Sequence, residues 1–148
     1  MRKVISVFPK IVIGVLLTLC IFTGTAFGAY AVGNTANATI GGRSYFWFSD
    51  ISTGGIVSAS SIVAGTSHSV PVGWTGVNAR LFSGGGAMMN ISGATYNTWE
   101  VPRSTTWGIS ANYPITSGYS YYSQGEIFIW NGTGYISGTT PRTPNLSA

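Results

Sequence analysis

The chain has 148 residues, of which 7% are charged and 45% hydrophobic, with 21 glycines and a formal net charge of +4. A soluble domain carries about 25% charged residues, and disorder needs high charge with little apolar surface, so one folded domain is expected and a charged disordered tail is excluded. Beyond Arg2, Lys3 and Lys10 the only charges are Arg43, Arg80, Arg103 and Arg142 against Asp50, Glu100 and Glu126, too few cations to follow a phosphate backbone, so nucleic acid is not an expected partner.

Residues 1–31 read as a secretory signal peptide. Three cations precede an apolar run from Ile11 to Phe22, and a stretch of small residues ends at Ala31. That run is shorter than the about 20 apolar residues a spanning helix needs, so the mature form is expected to have no stable membrane span. Ala29-Tyr30-Ala31 fits cleavage after Ala31, and Ala26-Phe27-Gly28 offers an earlier site. Cys20 follows Leu19, where a lipoprotein acceptor has Gly, Ala or Ser, so it reads as part of the apolar run. Once it is removed the chain has no cysteine, and disulfides and thiol chemistry go with it. The protein is expected outside the cell, either free or held at the cell surface.

Residues 32–42 are small and polar and read as a flexible leader, leaving residues 43–148 as a single domain. Helical periodicity is almost absent there, while short alternating runs recur. They predict strands at Ser44–Ile51, Ile56–Val63, Ser67–Val72, Val77–Ser83, Ala87–Ile91 and Thr95–Val101. Further strands are predicted at Thr106–Ala111, Gly118–Ser123, Glu126–Trp130 and Tyr135–Ser137, with an extended end over 138–148. Glycines and prolines punctuate them, and Asn131-Gly132 marks a hairpin. Short strands at this spacing predict an all-β protein, an antiparallel β-sandwich or small barrel. Tyr45-Phe46-Trp47-Phe48 puts rings on both faces of its strand, which suits a strand buried between two layers, or one that presents one pair of rings outward.

The residues needed for catalysis are scarce. His68 is the sole histidine, and no G-x-S-x-G elbow selects a serine to pair with it and Asp50. A glycosidase pair would have to come from Asp50, Glu100 and Glu126, and nothing in their spacing selects one. Glu126 faces away from Ile127 and Ile129, which suits an exposed partner for an arginine. Zinc lacks ligands and calcium lacks a carboxylate loop, so neither metal nor cofactor is expected. N-x-S/T triplets begin at Asn37, Asn90, Asn131 and Asn145, as chance supplies in a chain rich in these residues. Binding remains, because five tryptophans are many for this length and exposed rings stack on sugar faces. The candidate ligand-binding residues are Trp74, Trp47, Tyr121, Tyr122 and Trp130, with Trp74 placed in a turn between Gly73 and Gly76. Cell envelope or polysaccharide is the expected partner, and exposed strand edges also permit self-association.

Val70-Pro71-Val72-Gly73-Trp74-Thr75-Gly76-Val77-Asn78-Ala79-Arg80-Leu81-Phe82 is followed by Tyr121-Tyr122-Ser123-Gln124-Gly125, Trp130-Asn131-Gly132-Thr133-Gly134-Tyr135 and Thr143-Pro144-Asn145. Together these segments resemble a group of small exported proteins of Gram-positive bacteria, which implies export and assigns no activity. In size, signal peptide and the Tyr-Tyr-Ser segment the chain is similar to lactococcin-972-type bacteriocins, secreted β-sandwich proteins that act on the bacterial envelope. It departs from them in its length and in having little lysine and histidine. The expectation is a non-enzymatic secreted protein that recognises a surface, with a bacteriocin-like factor as the alternative and a small carbohydrate-active enzyme third.

Overall fold

The computed structural model describes residues 28–148, so the expected apolar leader and Cys20 lie outside the described residues. The described residues form an antiparallel β-sandwich whose strands are β1 (Tyr30–Val32), β2 (Ala36–Ile40), β3 (Arg43–Thr53), β4 (Ile56–Gly65), β5 (Thr75–Asn78), β6 (Arg80–Ser83) and β7 (Met88–Ile91). They continue with β8 (Thr95–Tyr96), β9 (Trp107–Pro114), β10 (Ser120–Ser123), β11 (Glu126–Trp130), β12 (Tyr135–Thr139) and β13 (Leu146–Ser147). No helix among the described residues is long and apolar enough to cross a membrane.

One layer is a five-stranded sheet in which β3, β4 and β9 lie side by side and both β1 and β2 pair with the other edge of β3. The second layer consists of two four-stranded sheets, ordered β12-β11-β5-β8 and β13-β10-β6-β7. They are nearly continuous, because only Ala79 separates β5 from β6 and only Gln124-Gly125 separates β10 from β11. The run predicted as a single strand over Val77–Ser83 is therefore broken at Ala79, whose N–H and C=O both turn to Ser92.

This seam sets the layout of the core. On one side Tyr45, Val63, Val70, Val77, Val101, Trp107, Ile127 and Ile129 fill the space between the large sheet and β5/β11. On the other, Ile51, Val57, Ala59, Leu81 and Tyr121 pack between the large sheet and β6/β10. At the seam the layers come close enough that a Cβ on Gly125 would lie 2.1 Å from the Asn78 carbonyl oxygen and 1.9 Å from Ser61 Oγ, so only glycine fits. Its N–H donates to Thr140 Oγ1 at 2.7 Å, and the Ser123 N–H donates to Thr143 Oγ1 at 2.9 Å. The carboxyl-terminal segment read as extended thus satisfies the backbone where the two small sheets part, then adds β13 beside β10.

Several boundaries differ from the sequence expectation. The segment read as a flexible leader contains β2, paired with β3 from Ala36↔Trp47 to Ile40↔Arg43. Its small residues conceal a period of two, in which Ala36, Ala38 and Ile40 are half-buried and Asn37 and Thr39 are exposed. The boundary placed after Ala31 falls inside β1. Gly41 and Gly42, with φ of 57° and 75°, make the two-residue turn into β3 that needs positive φ at both positions. Asn131-Gly132 does not. That hairpin has a four-residue loop, because Trp130 pairs with Tyr135, and Asn131 holds it with Oδ1 accepting from the N–H groups of Thr133 and Gly134. Ser67–Val72 is not a strand. Only Val70 bridges to Val101, and Pro71 supplies no donor to carry a ladder further. Thr95–Val101 shrinks to β8 and that bridge.

Candidate recognition face

The outward side of β12-β11-β5-β8 follows from alternation. Ile127 and Ile129 enter the core, so Glu126, Phe128 and Trp130 face out. Cross-strand register then aligns Tyr135, Ser137 and Thr139 on β12, Gly76 and Asn78 on β5, and Tyr96 on β8. Glycine at position 76 lets the Tyr96 ring lie down on the sheet, because a Cβ there would meet Tyr96 Cδ1 and Cε1 at 2.7 Å. The four rings run in sequence across the face. Phe128 and Tyr96 are 6.0 Å apart at 40°, Tyr96 and Tyr135 4.9 Å at 54°, and Tyr135 and Trp130 5.3 Å at 67°. Tyr135 is 45% exposed, and its hydroxyl crosses the sheet to donate to the Gly73 carbonyl. Each ring is therefore fixed by a neighbour or by the backbone, and little side-chain entropy remains to be lost on binding.

Beside the rings lies a polar cluster with no net charge. Arg80 Nη2 meets Glu126 Oε2 at 2.6 Å with about 30% of each side chain exposed, the arginine partner expected for Glu126. Asn78 Nδ2 donates to the same carboxylate oxygen at 3.4 Å. Arg80 Nε and Asn78 Oδ1 are buried and have no partner among the described residues. Ser137 and Thr139 continue the outward row of β12.

Of the residues expected to bind, only Trp130 lies on this face. Tyr121 is fully buried in the second core, and its hydroxyl accepts from the Thr116 N–H. Tyr122 is buried, stacked on Phe82 at 5.0 Å with the Arg142 guanidinium carbon 3.6 Å from its ring centre. Trp47 packs against the first core and donates from Nε1 to the Thr139 carbonyl at 3.2 Å. Trp74 does sit in the expected turn, its N–H donating to the Pro71 carbonyl at 3.1 Å, but its ring is half-buried. It packs on the same core and lies under the Arg43 guanidinium at 4.7 Å. The most exposed indole is Trp99, 57% accessible and edge-on to Trp107 at 4.7 Å, a position sequence reading passed over. Tyr96, Phe128 and Tyr135 were also missed, although the alternation that turned Glu126 outward turns Phe128 outward too.

His68 and Asp50 are not brought together. His68 sits edge-on to Tyr45 at 5.0 Å, while Asp50 lies five residues further along β3, about 16 Å at the usual rise of a strand. Asp50 instead accepts from the Tyr30 hydroxyl at 3.1 Å. Burial, and then the Arg43 charge, lower the His68 pKa and favour its neutral form. Among the described residues no three His, Cys, Asp or Glu side chains gather as metal ligands do. The chain matches no protein-family model, curated protein or solved structure at a significant level.

Proposed function

We propose that the chain is an exported, non-enzymatic recognition protein that binds uncharged carbohydrate, such as the glycan of a cell envelope, on the outer face of β12-β11-β5-β8. The observation that carries this reading is the row of Phe128, Tyr96, Tyr135 and Trp130 on one exposed sheet face, next to the Asn78-Arg80-Glu126 cluster. A sugar ring offers an apolar face to an aromatic ring and hydroxyls around its rim. The rings supply the first contact, and the Ser137 and Thr139 hydroxyls, with the partly exposed Arg80–Glu126 pair, supply the second. Because Arg80 and Glu126 neutralise one another, the face offers no net charge to attract an ionic ligand.

The test is co-sedimentation of the purified protein with insoluble polysaccharides and with purified peptidoglycan, read by tryptophan fluorescence. Saturable binding with a shift in emission is expected, and Trp130→Ala with Tyr135→Ala should weaken it by about 2 kcal/mol, roughly 30-fold, as for central aromatic anchors. Binding that survives the double change would move the site elsewhere, and absence of binding to every glycan would end the carbohydrate reading.

A further inference from the structure

From the structure we infer that the exported chain begins at Ala29, cut between Gly28 and Ala29. This rests on the export proposed above. Two small-residue sites compete in the sequence, Ala26-Phe27-Gly28 and Ala29-Tyr30-Ala31, and sequence pattern alone prefers the second. The fold separates them, because the residues between the two cuts are part of the sandwich.

β1 pairs with β3 through Tyr30↔Ser52, Ala31↔Ile51 and Val32↔Asp50. One residue earlier, the Thr53 N–H donates to the Ala29 carbonyl at 2.8 Å and the Ala29 N–H to Thr53 Oγ1 at 3.1 Å. The Tyr30 hydroxyl donates to Asp50 Oδ2 at 3.1 Å, and Ala31 packs against the core cluster of Ile51, Val57, Ala59, Leu81 and Tyr121. A cut after Ala31 removes all of these contacts except Val32↔Asp50 and leaves Val32 alone of the strand. It also uncovers Ile51 and Thr53 at the end of β3, whose backbone groups toward β1 then lose their partners.

A cut after Gly28 removes none of them. Water adds across the Gly28–Ala29 peptide bond, hydroxide to the Gly28 carbonyl carbon and a proton to the Ala29 nitrogen. The resulting amine keeps an N–H to give to Thr53 Oγ1. Gly28 takes part in no strand pairing, and it passes so close to Thr53 that a Cβ there would sit 1.4 Å from the Thr53 carbonyl oxygen. The bond to be cut therefore lies just outside the ladder, whereas the Ala31–Val32 bond lies within it.

The full 148-residue chain, secreted from a Gram-positive expression host, should yield a protein in the medium whose intact mass and amino-terminal sequencing both give Ala29 as the first residue. A first residue of Val32 would overturn this assignment while leaving export standing. An uncleaved chain retained in the cells would overturn export and this assignment together. Independently, a chain made to begin at Val32 should melt lower than one beginning at Ala29 by about 5 °C or more. Equal midpoints would contradict a structural role for β1 and with it the inference.

Discussion

The two outer faces of the sandwich both carry aromatic rings, and they differ in what those rings are able to do. On the large sheet Phe46 and Phe48 lie parallel, 6.5 Å apart with 2° between their planes, opposite Ala64 and Ile62 on β4. They carry no polar atom, so they cover their own sheet in the manner of an outer apolar row. On the smaller sheet, rings with a hydroxyl or an indole N–H stand tilted to one another beside a neutral ion pair. Counting rings would rate the faces alike. Polar handles, fixed orientation and adjacent hydrogen-bonding groups are what distinguish a surface suited to a sugar.

The comparison breaks first through the shared interior. Ile129 lies directly beneath the ring face, and Ile129→Ala should cost about 2 to 5 kcal/mol in a denaturant titration, because a cavity is left in a tightly packed core. It should also weaken glycan binding, whereas Phe46→Ser with Phe48→Ser on the opposite face should leave affinity unchanged. A smaller effect, centred on the rings, is expected from Gly76→Val. The added side chain drives the Tyr96 ring off the sheet and should reduce affinity about tenfold, the loss of one good contact. Smaller again, Tyr135→Phe removes only the hydrogen bond to Gly73 and should lower affinity about fivefold, near 1 kcal/mol, in the same titration.

The mildest contrast uses pH, since His68 belongs to neither face. Its folded pKa lies below its unfolded value, so the unfolded chain binds the proton more readily. The stability gained from a neutral His68 is fully present above the unfolded pKa, about 6.5, and is lost as pH falls from there toward the lower folded value. Thermal midpoints should therefore decline below that pH in the parent chain and decline less in His68→Gln. Affinity for glycan, measured where the protein is folded, should not follow that slope.

Much of this architecture was legible from residue patterns, and the failures have physical reasons. The outward turn of Glu126, the inward turn of Val77, Ala79 and Leu81, and the extent of β11 follow from alternation, which a sheet with one buried face enforces. β2 was hidden because Ala36 and Ala38 carry weak hydrophobic signals, although they face inward on an edge strand beside β3. The break at Ala79 was invisible because it results from two sheets diverging across a seam, a tertiary event. Tyr45-Phe46-Trp47-Phe48 left open whether its strand is covered on both sides or presents a pair of rings outward, and only Tyr45 and Trp47 enter a core. The placing of the binding candidates was hidden for a related reason. Composition marks Trp74, Trp47, Tyr121 and Tyr122 as aromatic, but only packing decides that two are buried and two are pinned against the first core.

The most direct test is a side-by-side titration of the parent protein, Trp130→Ala/Tyr135→Ala and Phe46→Ser/Phe48→Ser against one insoluble glycan, with folding of each confirmed by thermal denaturation. Affinity retained by the phenylalanine variant and reduced about 30-fold in the other is the expected result. Equal losses in both variants, or a loss confined to the Phe46/Phe48 face, would contradict the assignment of recognition to the Tyr96-Phe128-Trp130-Tyr135 face.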